Sequence, residues 1–103
     1  MTSTLETTAV IDTDELAQRP QIVARLHKAT GQLAGATRMI EEQRTCTEVL
    51  DQLAAVRAAV DAVALLVLTS HADACLRRAA ELGRVAEPAD DLITAVRRYV
   101  RAQ

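Results

Sequence analysis

Apolar side chains mark out three helices in this chain and give no strand signal. Ile22, Leu26, Ala29, Leu33, Ala36 and Ile40 step alternately by four and three residues, the spacing of one face of an α-helix. This predicts a first helix running to about Gln43. Asp12 or Asp14 suits the cap of a first turn, and Pro20 suits a helix start but would kink a helix already running from residue 14. Gly31 and Gly35 each lower helix propensity by ~1 kcal/mol relative to Ala and would let another backbone pack closely. Arg44 and Thr45 form a short link. The second helix is predicted over 46–82, a stretch without Pro or Gly and rich in Ala, Leu and Val. Gly83 suits the position just past its end. Pro88 opens a third helix, predicted over 88–101, with Leu92, Ile93, Val96 and Val100 on one stripe. Residues 1–13 are polar, Thr-rich and without periodicity, which predicts a disordered N-terminal arm. Residues 14–103 are predicted to form a single helical domain.

Composition turns this pattern toward an oligomer. Of 103 residues half are hydrophobic, yet Tyr99 is the one aromatic. A core of Ala, Val and Leu buries little area per residue, and a helix apolar on most faces has to hide more than one of them. The run Val60, Val63, Ala64, Leu65, Leu66, Val67, Leu68 is such a stretch. It reads as too short for a membrane span, with Asp61 and His71 interrupting or bounding it. Residues 1–15 show no signal-peptide pattern, so a cytoplasmic location without a membrane partner is expected. Reduced cytoplasmic thiols favour metal or redox chemistry over a structural bridge. The net charge is −2, but residues 1–15 carry four acidic and no basic side chains; the remainder has 12 basic against 10 acidic. All the basic residues except Lys28 are Arg, a residue suited to phosphates and base edges and, more commonly, to surface salt bridges.

The candidate chemistry lies in Cys46, His71 and Cys75. His71 and Cys75 are four residues apart and share one helix face. Cys46 lies 25 residues before His71, roughly 37 Å along a continuous helix. The three cannot meet within one helix, but they can meet when two copies pack antiparallel, so the spacing predicts an intersubunit site. The dimer axis would then fall near residues 58–61, among Ala54, Ala55, Ala58, Ala59 and Ala62. Those alanines have a second reading as good helix formers. Taken singly, Cys75 also reads as a packing residue, and His71 as an exposed or hydrogen-bonded histidine. His27 has no Cys or His at helical spacing and reads as a surface residue. Two thiolates and one imidazole are soft donors that suit monovalent copper. Zinc ordinarily takes four ligands; Asp73 and Glu48 lie near in sequence, but Asp73 is out of phase with His71. No phosphate loop, Ser-His-Asp pattern or paired carboxylates in a cleft points to an enzyme.

Arg25-Leu26, Gly31-Gln32-Leu33, Arg38-Met39-Ile40-Glu41-Glu42, the lone Cys46, Gln52-Leu53-Ala54-Ala55-Val56, and His71 with Cys75 together resemble the CsoR/RcnR family of bacterial metal-sensing repressors, in its copper branch. The resemblance covers about residues 20–97. It implies an all-α, three-helix protomer with a long central helix, an antiparallel helix dimer and a dimer of dimers. It also implies operator DNA as partner, bound by the apo protein and released on metal binding, with a copper chaperone as a further partner. Cys46, His71 and Cys75 match the family's copper(I) ligand pattern. Nickel and cobalt members carry a second histidine where Cys75 stands, plus an N-terminal histidine, and residues 1–20 here contain none. Persulfide-sensing members keep both cysteines but lack the histidine. Copper members often place a Tyr before the first Cys and a Glu in the third helix around the ligand histidine; Thr45 and Asp91 occupy those places here. The DNA-contacting set carried over is Arg25, Lys28, Arg38 and Arg57, with Ala62 where some members have Arg. The expected function is a copper(I)-responsive repressor. Two alternatives stand beside it: a thiol-based persulfide or oxidant sensor switched through Cys46 and Cys75, and a copper-buffering protein without a DNA target.

Overall fold

A computed structural model of the chain describes residues 9–102. Within them are a short 3-10 turn (Thr13–Glu15) and three α-helices, α1 (Arg19–Glu41), α2 (Cys46–Leu82) and α3 (Ala86–Ala102). There is no strand among the described residues, so the protein is all-α. The chain packs as two compact units, residues 20–66 and residues 9–19 with 67–102.

In the first unit the inward seam recurs every seven residues. Ile22, Ala29 and Ala36 of α1 are buried, as are Val49, Val56 and Val63 of α2. This is half of the predicted α1 stripe: Leu26, Leu33 and Ile40 stay exposed within one chain, as do Leu50, Leu53, Val60 and Leu65 of α2. Gln52 ties the two helices by donating from Nε2 to the Gln32 carbonyl at 2.8 Å. Gly35 makes room for that amide, since a Cβ there would come within 3.2 Å of Gln52 Nε2. Within one chain, no described residue comes within 4 Å of where a Cβ on Gly31 would stand.

Helix α1 ends at Glu41, two residues earlier than predicted, because Gln43 adopts φ 61. The Arg44 N–H bonds the Met39 carbonyl at 2.9 Å and the Gln43 N–H bonds the Ile40 carbonyl at 3.0 Å. This paired closure ordinarily places glycine at the left-handed position. Helix α2 then starts on a reciprocal cap. The Thr45 hydroxyl accepts the Glu48 N–H at 3.2 Å, and Glu48 Oε1 accepts the Thr45 N–H at 3.1 Å. Arg44 grips the same carboxylate at 2.6 Å. Together these hold the Glu48 carboxyl down at about 2, the Arg44 side chain contributing most and then the Thr45 backbone and hydroxyl.

In the second unit Leu16, Ala74, Cys75 and Pro88 are buried, together with Ser70 and Arg78. Gly83, at φ 69, terminates α2 as predicted. Helix α3 begins two residues before Pro88, which is tolerated there because first-turn N–H groups have no intrahelical acceptor. Of the arm predicted to be disordered, residues 9–12 are irregular and the 3-10 turn begins at Thr13; the first eight residues lie outside the described ones. Asp12 precedes the 3-10 turn, with its N–H donating to Glu15 Oε2 at 3.1 Å. Leu16 anchors the segment in the core, and Glu15 pairs with Arg78.

By length and composition alone α2 is long and apolar enough to cross a membrane, which corrects the expectation that its apolar run is too short. The reason is that alanines extend the run well beyond Val60–Leu68. Little of it is buried within the chain, the condition also met by a soluble helix whose apolar faces a partner covers.

Candidate metal centre

The two-turn segment that carries His71 and Cys75 meets α3 at Asp91. His71 Nε2 lies 3.5 Å from Cys75 Sγ and 3.4 Å from Asp91 Oδ2. The imidazole and carboxylate are 13% and 20% exposed, so water reaches them sparingly, and Cys75 is buried. All three donor atoms lie within 4.8 Å of one another. Helical phase brings the first two together, one turn apart on one face; the packing of α3 on the second half of α2 supplies the third.

The same Asp91 oxygen accepts the Ile11 N–H at 3.1 Å. The N-terminal segment is thus fastened to the cluster by a backbone bond. Burial pushes the Cys75 thiol up from its ordinary range, and the Asp91 charge adds to the shift. A metal bound at this thiol has to displace its proton.

Asp91 thus stands beside His71, where the resemblance puts an outer partner of the ligand histidine. Thr45 is exposed, and its hydroxyl is engaged with Glu48 as the cap of α2. Cys46 is the first residue of α2 and is exposed. It lines an open, mostly apolar depression of about 460 Å³ with Ile40, Arg44, Val49 and Leu50. Asp73 is exposed and paired with Arg77, away from the cluster as its phase predicts. Of the predicted DNA-contacting residues, Arg25 and Lys28 line a second depression, of about 380 Å³, with Gln32, Ala59 and Ala62. Arg38 and Arg57 are exposed elsewhere on the same unit.

Sequence reasoning missed Ile11 and the Glu15–Arg78 pair. Ile11 acts through its backbone, which leaves no mark on side-chain pattern. Glu15 and Arg78 are 63 residues apart, beyond any local periodicity.

Residues 18–98 match the family described as metal-sensitive transcriptional repressor. Among its relatives the copper-sensing transcriptional repressor CsoR of Bacillus subtilis is 32% identical over 85 residues, which cover 82% of this chain and 84% of that protein. The copper-sensing transcriptional repressor RicR of Mycobacterium tuberculosis is 41% identical over 66 residues, covering 64% and 69%. Among solved structures, the nickel-responsive transcriptional regulator InrS superposes with a TM-score of 0.71 at 40% identity, covering 78% of this chain and 90% of that one.

Proposed function

The chain belongs to the family of metal-sensitive transcriptional repressors, and on that premise we propose that it is a copper(I)-responsive repressor acting on operator DNA in the cytoplasm. It is a regulator, not an enzyme. The observation that carries the copper reading is the half-site itself: a buried thiol and an imidazole one turn apart, in a chain whose relatives include named copper sensors. One chain supplies one thiol and one imidazole at this point. The second thiol in the sequence, Cys46, begins the same unbroken helix, roughly 37 Å from His71 by helical rise. A second copy packed antiparallel along α2 would bring its Cys46 to His71 and Cys75. The exposed Leu50, Leu53, Val60 and Leu65 give that copy an apolar face to cover. A dimer of two such dimers is the assembly in this reading.

Two thiolates and one imidazole fit copper(I), a soft ion content with three ligands. In this role Asp91, 3.4 Å from the His71 ring, orients it as a hydrogen-bond acceptor. Arg25 and Lys28, with Arg38 and Arg57, supply positive charge for the phosphate backbone. Metal that weakens DNA binding is itself bound more weakly on DNA, and a coupling of ~1–3 kcal/mol is ordinary for such linkage. Burial pushes the Cys75 thiol up, which counts against Cys75 as the attacking thiolate of a redox sensor. The nickel-responsive neighbour does not alter the choice of metal, because two thiols and a single histidine form a softer donor set than nickel ordinarily takes.

The test pairs anaerobic copper(I) titration, read by X-ray absorption, with operator binding by fluorescence anisotropy at fixed salt. A trigonal shell of two sulfurs and one nitrogen, with apo binding and copper-driven release, is the expected result. Subunit mixing tests the intersubunit arrangement. Chains carrying Cys46→Ala and chains carrying His71→Ala with Cys75→Ala should each lack a complete site, and their heterodimer should regain one. No recovery on mixing would mean the ligands are arranged some other way.

A further inference from the structure

We infer that His71, Cys75 and Asp91 of a single chain form a second, self-contained ligand set, one that takes a divalent cation of the zinc(II) type without Cys46. The inference shares two side chains with the copper reading and stands without it.

The distances carry the argument. A tetrahedral zinc ion bound at ~2.05 Å by nitrogen and oxygen and at ~2.3 Å by sulfur sets the nitrogen–sulfur edge at roughly 3.6 Å and the nitrogen–oxygen edge at roughly 3.3 Å. The corresponding separations from His71 Nε2 are 3.5 Å to Cys75 Sγ and 3.4 Å to Asp91 Oδ2. The third edge, sulfur to oxygen, lies within 4.8 Å and needs a modest closing movement at most. The three donors are thus nearly spaced for a small tetrahedral ion.

Hydrogen bonding alone explains the grouping less well. One imidazole nitrogen offers either a proton or a lone pair. If Nε2 carries its proton it can donate to Asp91, and it then cannot accept from the Cys75 thiol. If it is bare it can accept from Cys75, and it then faces the Asp91 carboxylate lone pair to lone pair. A cation at the centre satisfies all three groups at once.

Donor chemistry separates the two sets. A carboxylate is a hard ligand that copper(I) has little use for, while a thiolate, an imidazole and a carboxylate together suit zinc(II). The partial exposure of His71 and Asp91 lets water fill the fourth position. Binding deprotonates the Cys75 thiol, whose proton passes to solvent. A divalent ion held in this way touches one chain and leaves the second chain's Cys46 unengaged. Such an ion would occupy His71 and Cys75 without bridging subunits, so which donor closes the site, Cys46 or Asp91, would distinguish the two metals.

The test uses full-length Cys46→Ala protein, with cobalt(II) as the spectroscopic stand-in for zinc(II) under anaerobic conditions. The expected result is one cobalt per chain, with sulfur-to-cobalt charge transfer and tetrahedral d–d bands, displaced by zinc(II). Adding Asp91→Asn should weaken cobalt binding by more than about a hundredfold, beyond the loss that an outer-shell partner ordinarily causes. Helicity by circular dichroism and residual copper(I) binding in Asp91→Asn alone establish that the fold and the other ligands persist. Absence of the charge-transfer band in Cys46→Ala would overturn the inference. So would cobalt affinity within about a hundredfold of the parent in the Asp91→Asn double variant, which would return Asp91 to an outer role. Unchanged copper(I) affinity in Cys46→Ala would instead sink the copper reading and leave this one intact.

Discussion

The two cysteines of α2 live in opposite surroundings. Cys75 is 3% exposed and already within 3.5 Å of an imidazole. Cys46 is exposed on the first turn, beside an open apolar depression and a fully formed helix cap. The contrast separates a thiol that the fold of one chain surrounds from one that it leaves open. At the Cys75 end the ligands are held by core packing, by α3 through Asp91 and by the N-terminal segment through Ile11. At the Cys46 end the backbone is fixed by Thr45 and Glu48, while the thiol belongs to no cluster of three potential ligands among the described residues. Under the proposed intersubunit arrangement the Cys75 end is the preorganised half-site and Cys46 the incoming thiol, so metal occupancy would report on how two chains are held together.

Exchanging each cysteine for alanine should break the symmetry between them most strongly. Cys46→Ala should abolish tight copper(I) binding in competition with a chromogenic chelator and leave the denaturation midpoint in place, since an exposed thiol contributes little packing. Cys75→Ala should lose copper equally and also destabilise the fold by roughly 1–2 kcal/mol in urea titration, because it empties part of a packed core. Unaltered copper affinity in Cys46→Ala would remove the three-ligand description.

His71→Ala sharpens the comparison by cutting the link between the preorganised half-site and α3. Two thiolates can still hold copper(I) in a linear site, so affinity should fall and survive. The ring that touches Asp91 is gone, and operator binding should persist with and without saturating copper in anisotropy measurements. Normal copper-driven release by this variant would show that the switch runs through the cysteines alone.

Smaller effects probe the Cys46 end. Gln43 occupies a left-handed position that costs a non-glycine residue roughly 1–2 kcal/mol. Gln43→Gly should recover about 1 kcal/mol of stability, offset in part by the greater freedom of glycine in the unfolded chain. A denaturation midpoint at or below the parent's would mean that the Gln43 side chain contributes something the backbone geometry does not reveal. The smallest effect concerns acid. Glu48 is held at about 2, below the usual carboxylate range, by Arg44 and Thr45. A depressed folded-state value means the cap's contribution is complete above the unfolded value near 4.5 and fades as pH falls toward 2. Protection of the Thr45 and Glu48 amides, taken relative to their intrinsic exchange at each pH, should fall over that window, and salt should weaken the effect, because the pair is exposed. Glu48→Gln should flatten the profile.

Helix positions were legible along the chain because they follow from interactions three, four and seven residues apart. The predicted span of α2 matches Cys46–Leu82, bounded by a Thr-x-x-Glu cap and by a glycine at φ 69. His71 and Cys75 were legible as a pair for the same reason, being neighbours on one helical turn. The end of α1 was less so, since nothing local singles out a glutamine for the left-handed conformation that glycine usually takes. The resemblance named Asp91, but its distance to His71 and its hold on Ile11 came from folding α3 and the N-terminal segment onto α2. Local spacing and capping chemistry are written into short stretches of sequence. The meeting of Ile11, His71 and Asp91, 80 residues apart at its widest, depends on how helices pack, and only the tertiary structure decided it.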